Sequence, residues 1–200
     1  MPTYKAPVRD MRFLMNEVFD FESHYKTLPN GEDATPDMVE AIVGEMAKLC
    51  ENTIAPLYQS GDEEGCKLED GVVTTPKGFK EAYNEFVAGG WQGLSHPVEV
   101  GGQGLPMSLG LIKQEMMATA NWSFSMYPGL SLGAMNTIQM HGTEEQHQEY
   151  LTPLTEGTWR HHVSDRTSVW YRSGPGKNQG RATERRFLQN LWHQDFHLLR

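Results

Sequence analysis

Only two cysteines, Cys50 and Cys66, occur in these 200 residues, too few for a disulfide framework, so a reducing compartment is expected. No basic stretch leading into an apolar core and a small-residue cleavage site opens the chain, which argues against a secretory signal. No uninterrupted apolar run reaches the roughly 20 residues a membrane span needs. Together these absences predict a soluble, cytoplasmic protein. No alternating apolar pattern before Trp159 is regular enough to predict a strand. His24, His96, His141 and His147 lack metal-ligand spacing and read as surface or capping residues, and no nucleophile lies in an evident relation to a base.

What the chain does have is helical punctuation. Arg9 to Lys26 repeats Met11, Leu14, Met15, Val18, Phe21 and Tyr25 at helical spacing, up to the Pro29-Asn30-Gly31 stop. Thr35-Pro36 pairs a cap with proline at the first helical position, opening a helix with Met38, Ile42, Met46 and Leu49 inward. Gly61-Asp62-Glu63-Glu64-Gly65 reads as a solvated loop. Thr75-Pro76 repeats the start signal, Phe79, Ala82, Tyr83 and Phe86 supply a buried face, and Gly89-Gly90 ends it. Leu109 to Ala120 is a further helix, inward at Ile112, Met116 and Met117, with Glu115 as a snorkelling surface residue or a pocket group.

The stretch Phe124 to His141 has no charged face, so it reads as a central helix wrapped on all sides, starting just beyond Pro128. Gly142 closes it, and Thr143 to Gln146 forms a capping box for a helix running from Glu144 to Leu154. About six helices are expected, an all-α bundle. Between the helices ending at Gly89 and starting at Leu109 lies the dense glycine turn Gly101-Gly102-Gln103-Gly104. It lacks the preceding strand and the following Lys-Ser/Thr of a phosphate loop.

The composition breaks at Arg160. From there on, eight Lys and Arg face three Asp and Glu, leaving nine basic against 23 acidic residues before it. The last segment holds seven of the nine arginines and none of the eleven methionines. Its charge, glycines and missing apolar period predict disorder. His193 and His197 stand at i, i+4 without a third ligand, and the mixture of Arg with Trp and Tyr is that of a nucleic-acid arm.

The ordered set Pro97-x-x-x-Gly101-Gly102-x-Gly104, Leu111-x-x-x-Glu115, the apolar helix, Gly142 to Gln146, and Tyr150-Leu151-x-x-Leu154-x-x-Gly157 resembles the N-terminal helical domain of flavin-dependent acyl-CoA dehydrogenases. The helix near Met11 to Phe21 is similar to a bacterial branch of that family. The resemblance divides the chain into residues 1–159, the helical domain, and 160–200, a tail. It implies FAD as cofactor, acyl-CoA as substrate, homo-oligomers, and a next segment with a motif like C-x-T-E-P-x-x-G-(S/T)-D. No nucleic acid is expected as a partner.

Shifting the reading frame by one base with permitted codons turns Arg160 to Ser164 into GTMCL and Asp165 to Arg172 into TEPQCGTD. The same shift reads Gly174 to Arg181 as GQVKTKAE and Trp192 to His197 as GTKIFI. A frame change after Trp159 is therefore expected to have replaced the flavin-binding domain. The resemblance places the catalytic glutamate and most flavin contacts beyond the matching region, so no catalytic, cofactor or metal residue is assigned, and the chain is expected neither to bind FAD nor to act alone. The candidate residues for one wall of an acyl pocket are Gly101, Gly102, Gly104, Leu105, Met116, Tyr127, Leu130 and Met135. Two rivals stand beside this: a helical interaction module, and nucleic-acid binding through the basic tail.

Overall fold

Thr35 opens the first long helix through its side chain. In the computed structural model, which describes residues 3–29 and 31–158, its hydroxyl accepts from the Met38 amide at 3.3 Å, and Pro36 follows at the first turn. The residues before it form α1 (Val8–Phe13), a π-helical turn (Leu14–Val18) and α2 (Phe21–Tyr25), not the single helix expected from Arg9 to Lys26. The break is Asp20, left-handed at φ 45°, whose carboxylate accepts from the Ser23 amide and caps α2. Met11, Met15 and Tyr25 still reach the core, but Leu14 and Val18 are left exposed.

α3 (Pro36–Leu49) runs on through a π-helical turn at Cys50–Ile54 and buries Val43, Met46, Ala47, Leu49, Cys50 and Ile54. Met38, expected inward, is exposed because the helix meets the core only from about its second turn. The acidic run expected as a loop belongs to α4 (Leu57–Glu64), which ends at Gly65, φ 63°. Packing decides this. Gly61 lies flat on the Phe79 ring, where a Cβ would sit 2.5 Å from Cε2.

Two short antiparallel strands, β1 (Lys67–Glu69) and β2 (Val72–Thr74), were not expected. Asp70 and Gly71 both have positive φ, the geometry of a two-residue hairpin turn, and Asp-Gly flanked by Val72 and Val73 is its sequence signal. α5 (Phe79–Ala88) starts after left-handed Gly78, not at Thr75-Pro76, and buries Phe79, Ala82 and Phe86 before ending at Gly89.

α6 (Met107–Ala120) and α7 (Trp122–His141) form a helical hairpin joined by Asn121 alone. Within α6, Met116 and Met117 are buried, Ile112 is half-buried, and Glu115 points to solvent. α7 corrects two expectations. It begins six residues before Pro128, because Asn121 caps it by accepting from the Phe124 amide at 3.0 Å, and the fixed φ of proline is itself helical. It is also covered on one side only. Phe124, Pro128, Ser131, Met135 and Ile138 are buried, whereas Trp122, Met126, Leu130 and Met140 are exposed among the described residues.

The capping box at Thr143 is present in full, with the Thr143 hydroxyl accepting from the Gln146 amide and the Gln146 side chain accepting in return. The helix it starts is α8 (Glu144–Gln146), a π-helical turn (His147–Leu151) and α9 (Thr152–Thr155), ending near Gly157, φ 70°. His147 bonds the Ile138 carbonyl at 2.9 Å and ties this last helix to α7. The described part of the chain is thus all-α apart from the one hairpin, with its core between α3, α5, α6 and α7. No helix among the described residues is long and apolar enough to cross a membrane. The tail from Arg160, including His193 and His197, lies outside the described residues.

Candidate functional site: the glycine turn and the face of α7

The glycine turn folds back on the turns of residues 93–97 that precede it. A short 3-10 turn (Val98–Val100) leads to Gly101, φ 84°, and Gly104 has φ 67°. Gly102 is needed for another reason: a Cβ there would stand 2.1 Å from the His96 carbonyl oxygen. Every amide from Val100 to Leu105 already donates within the turn. Val100 and Gly102 donate to the Pro97 carbonyl, Gly101 to Val98, Gln103 to Gly93, Gly104 to His96 at 2.8 Å, and Leu105 to Leu94. The glycines therefore serve close backbone packing, and these amides are committed internally instead of forming a cradle for phosphate.

The eight candidate residues do not share one surface. Leu105, Met116 and Met135 are buried in the core. Tyr127 is half-buried, its ring 6.1 Å from Phe79 and 6.5 Å from Phe124, and Leu130 is 47% exposed. Burial, with a smaller contribution from the neighbouring Cys66 thiol, pushes the Tyr127 hydroxyl up to about 12. α7 thus carries Leu130 outward beside Met126, while Tyr127 packs on Phe79 and Phe124 against the core and Met135 faces away from Met126.

A polar group that sequence reasoning passed over lies behind the turn. Gln92, His96 and Lys113 are all buried, so His96 is not the surface or capping residue expected. Lys113 donates to the Trp91 carbonyl at 2.7 Å and stands 5.7 Å above the Phe86 ring. Burial pulls its ammonium down to about 8. Gln92 directs its amide nitrogen at the Pro128 carbonyl and the Met135 sulfur, at 3.5 and 3.4 Å. Its oxygen, and both ring nitrogens of His96, have no partner of normal hydrogen-bond geometry.

Burial first, then the Lys113 charge, lowers the His96 pKa, and the nearby Asn136 side chain acts weakly in the other direction. The sequence signal for Lys113 was its spacing: position 113 shares a helix face with Leu109, Met116 and Met117. His24 and His141 are exposed, and no three His, Cys, Asp or Glu among the described residues come together to hold a metal.

Residues 36–158 match the model of the acyl-CoA dehydrogenase N-terminal domain. The chain is 39% identical over 157 residues to 3-methylmercaptopropionyl-CoA dehydrogenase of Ruegeria pomeroyi, covering 78% of this chain and 26% of that one. It is 26% identical over 159 residues to butyryl-CoA dehydrogenase of Syntrophomonas wolfei subsp. wolfei, with the same two shares. The chain spans about a quarter of the length of these relatives. With the N-terminal domain matched over more than half its residues, carrying the glycine turn and the α6–α7 hairpin, this chain belongs to the acyl-CoA dehydrogenase family.

Proposed function

We propose that this chain is the N-terminal helical part of a flavin-dependent acyl-CoA dehydrogenase, residues 1–159, followed by an out-of-frame tail over residues 160–200. It contributes one wall of an acyl pocket and does not catalyse the reaction alone. The family reaction takes a proton from Cα and a hydride from Cβ of an acyl-CoA, and the flavin supplies the hydride acceptor.

The observation that carries the reading is the outer side of α7. No Asp, Glu, Lys or Arg occurs from Trp122 to His141, and Trp122, Met126, Leu130 and Met140 recur along one side of the helix, exposed among the described residues. An uncharged stripe of this length costs solubility unless a partner or ligand meets it. Its relatives have about three times as much further chain that could do so. Tyr127 and Leu130 stand where an acyl chain could lie; Leu105, Met116 and Met135 support that wall from the core side. Gly101, Gly102 and Gly104 brace its end.

FAD belongs, on this reading, to the full-length enzyme. The glycine turn has no amide left for a flavin phosphate, and the buried Gln92, His96 and Lys113 are closed off from one. Homo-oligomerisation and a cytoplasmic location go with the same reading.

The test is direct. The purified 200-residue chain is expected to be colourless and to form no enoyl-CoA with added FAD and acyl-CoA. A yellow preparation with activity would overturn the proposal. Sequencing the gene across the Trp159–Arg160 junction tests the tail separately: the family motif should appear in the alternate frame.

A further inference from the structure

Gln92, His96 and Lys113 fill the space between the glycine turn and the helices α6 and α7, and the pocket-wall reading uses none of them. His96 is the hub. Its backbone amide donates to the Gly93 carbonyl at 3.1 Å and its carbonyl accepts from Gly104 at 2.8 Å. The ring points inward and is 1% exposed, with neither nitrogen in a hydrogen bond of normal geometry among the described residues. Backbone and side chain therefore hold the same segment from two directions.

What faces the ring decides its charge. α6 supplies the Lys113 ammonium, and α7 supplies only the neutral Asn136 amide, since it carries no Asp, Glu, Lys or Arg. Gln92, on the same segment, is neutral. The acids nearest by sequence or contact are no help: Glu99 on the turn and Glu115 on α6 are exposed, and Glu156 lies against Gly101 at the outer edge of the turn. A proton on His96 would put a second positive charge into a dry space that already holds one, with no carboxylate to meet it.

We propose that His96 is a proton-operated latch: the neutral ring holds residues 93–105 against α6 and α7, and taking up a proton drives it out of the space it shares with Lys113 and releases the turn. The ring cannot reach water while the turn covers it, so expulsion requires the turn to lift. The segment that lifts includes Gly102, which packs on the His96 carbonyl, and Gly104, which donates to it.

Amide hydrogen exchange of the full chain from pH 8 to pH 5, corrected for intrinsic rates and followed in peptides covering residues 93–105, tests this. The expected result is an about tenfold loss of protection with a one-proton midpoint below 6.5, the ordinary histidine value. Lys113→Met should move the midpoint up towards 6.5, because the competing charge is gone. His96→Gln should abolish the transition.

An unchanged midpoint in Lys113→Met, the same transition in His96→Gln, or full protection down to pH 5 would each overturn the latch. Should His96→Gln fail to fold, the ring's own titration in the unaltered chain, read by NMR of its C–H protons, decides. It must coincide with the loss of amide protection; titration without that loss overturns the proposal.

Discussion

The Asn121 side chain donates to the Ile54 carbonyl at 3.3 Å while its oxygen accepts from the Phe124 amide at 3.0 Å. One buried amide thus caps α7 and satisfies the last carbonyl of the π-helical turn after α3, 67 positions away in sequence. Because Asn121 is also the whole link between α6 and α7, it sets where both helices meet the α3 layer.

Two substitutions separate its two roles. Asn121→Ser keeps a capping oxygen but loses the reach to Ile54, and should cost about 1 kcal/mol. Asn121→Ala loses both and should cost about 2 kcal/mol. Urea midpoints measure this; equal losses for the two variants would mean that the Ile54 bond contributes nothing.

Glycines of opposite meaning give opposite signs. At Gly102 an added Cβ would meet the His96 carbonyl oxygen at 2.1 Å, so the backbone itself must move, and Gly102→Ala should destabilise by about 3 kcal/mol or more. At Gly133, mid-helix in α7, an added Cβ meets nothing within 4 Å, and Gly133→Ala should stabilise this chain by about 0.5–1 kcal/mol. Thermal unfolding of the two variants against the parent checks both signs.

What could be read from the sequence was what side chains settle within one turn of themselves. The Thr35 cap with Pro36, the Thr143–Gln146 box and the stops at Gly89 and Gly142 all depend on neighbours three or four residues away, and all are found. Where a distant surface decides, the reading failed. Gly61 to Glu64 is helical because Phe79 packs on Gly61, and Asp20 breaks the first helix in a conformation its residue type only tolerates.

The α7 case is the most instructive. Its composition says that water is unwelcome on both sides, but not which part of the protein excludes it. The candidate wall was legible as a pattern of apolar residues; its division into buried Met116 and Met135 and exposed Leu130 was not, since that depends on where α6 and α7 meet.

The uncovered side of α7 should govern the behaviour of this chain in solution. Leu130→Gln and Met140→Gln, at positions 47% and 75% exposed, should leave the unfolding midpoint nearly unchanged and raise the soluble fraction. Phe124→Gln, on the buried side, should cost several kcal/mol by replacing a ring packed on Phe79 with an amide in the core. Light scattering against concentration, together with circular dichroism melts, distinguishes the two sides. If the exposed variants aggregate as the parent does, the outer stripe is not the cause.

Lys113 makes stability depend on alkali in an unusual direction. Its ammonium titrates at about 8 in the folded chain and at 10.5 when exposed, so between those values the unfolded chain binds more protons. The lysine's contribution to stability then rises as pH increases from about 8, by about 2 kcal/mol at pH 10, because the folded protein no longer keeps a charge away from water. The buried tyrosines act in the other direction: Tyr25 and Tyr127 have raised pKa values, so their contribution is lost only as pH climbs past the ordinary tyrosine value of 10. The Cys50 thiol, pushed by burial from 9.0 up to about 12, lowers stability within the same window from pH 8 to 10, so the lysine is read from the difference between the parent and a variant without it. Lys113→Met removes the titrating group, at the expense of leaving the Trp91 carbonyl without its donor, and its stability should lack the lysine's rise and instead fall across that window as Cys50 dictates. Urea denaturation at pH 7, 8, 9 and 10 on both proteins measures the difference in slope, and parallel lines would mean that Lys113 keeps its charge out of the core.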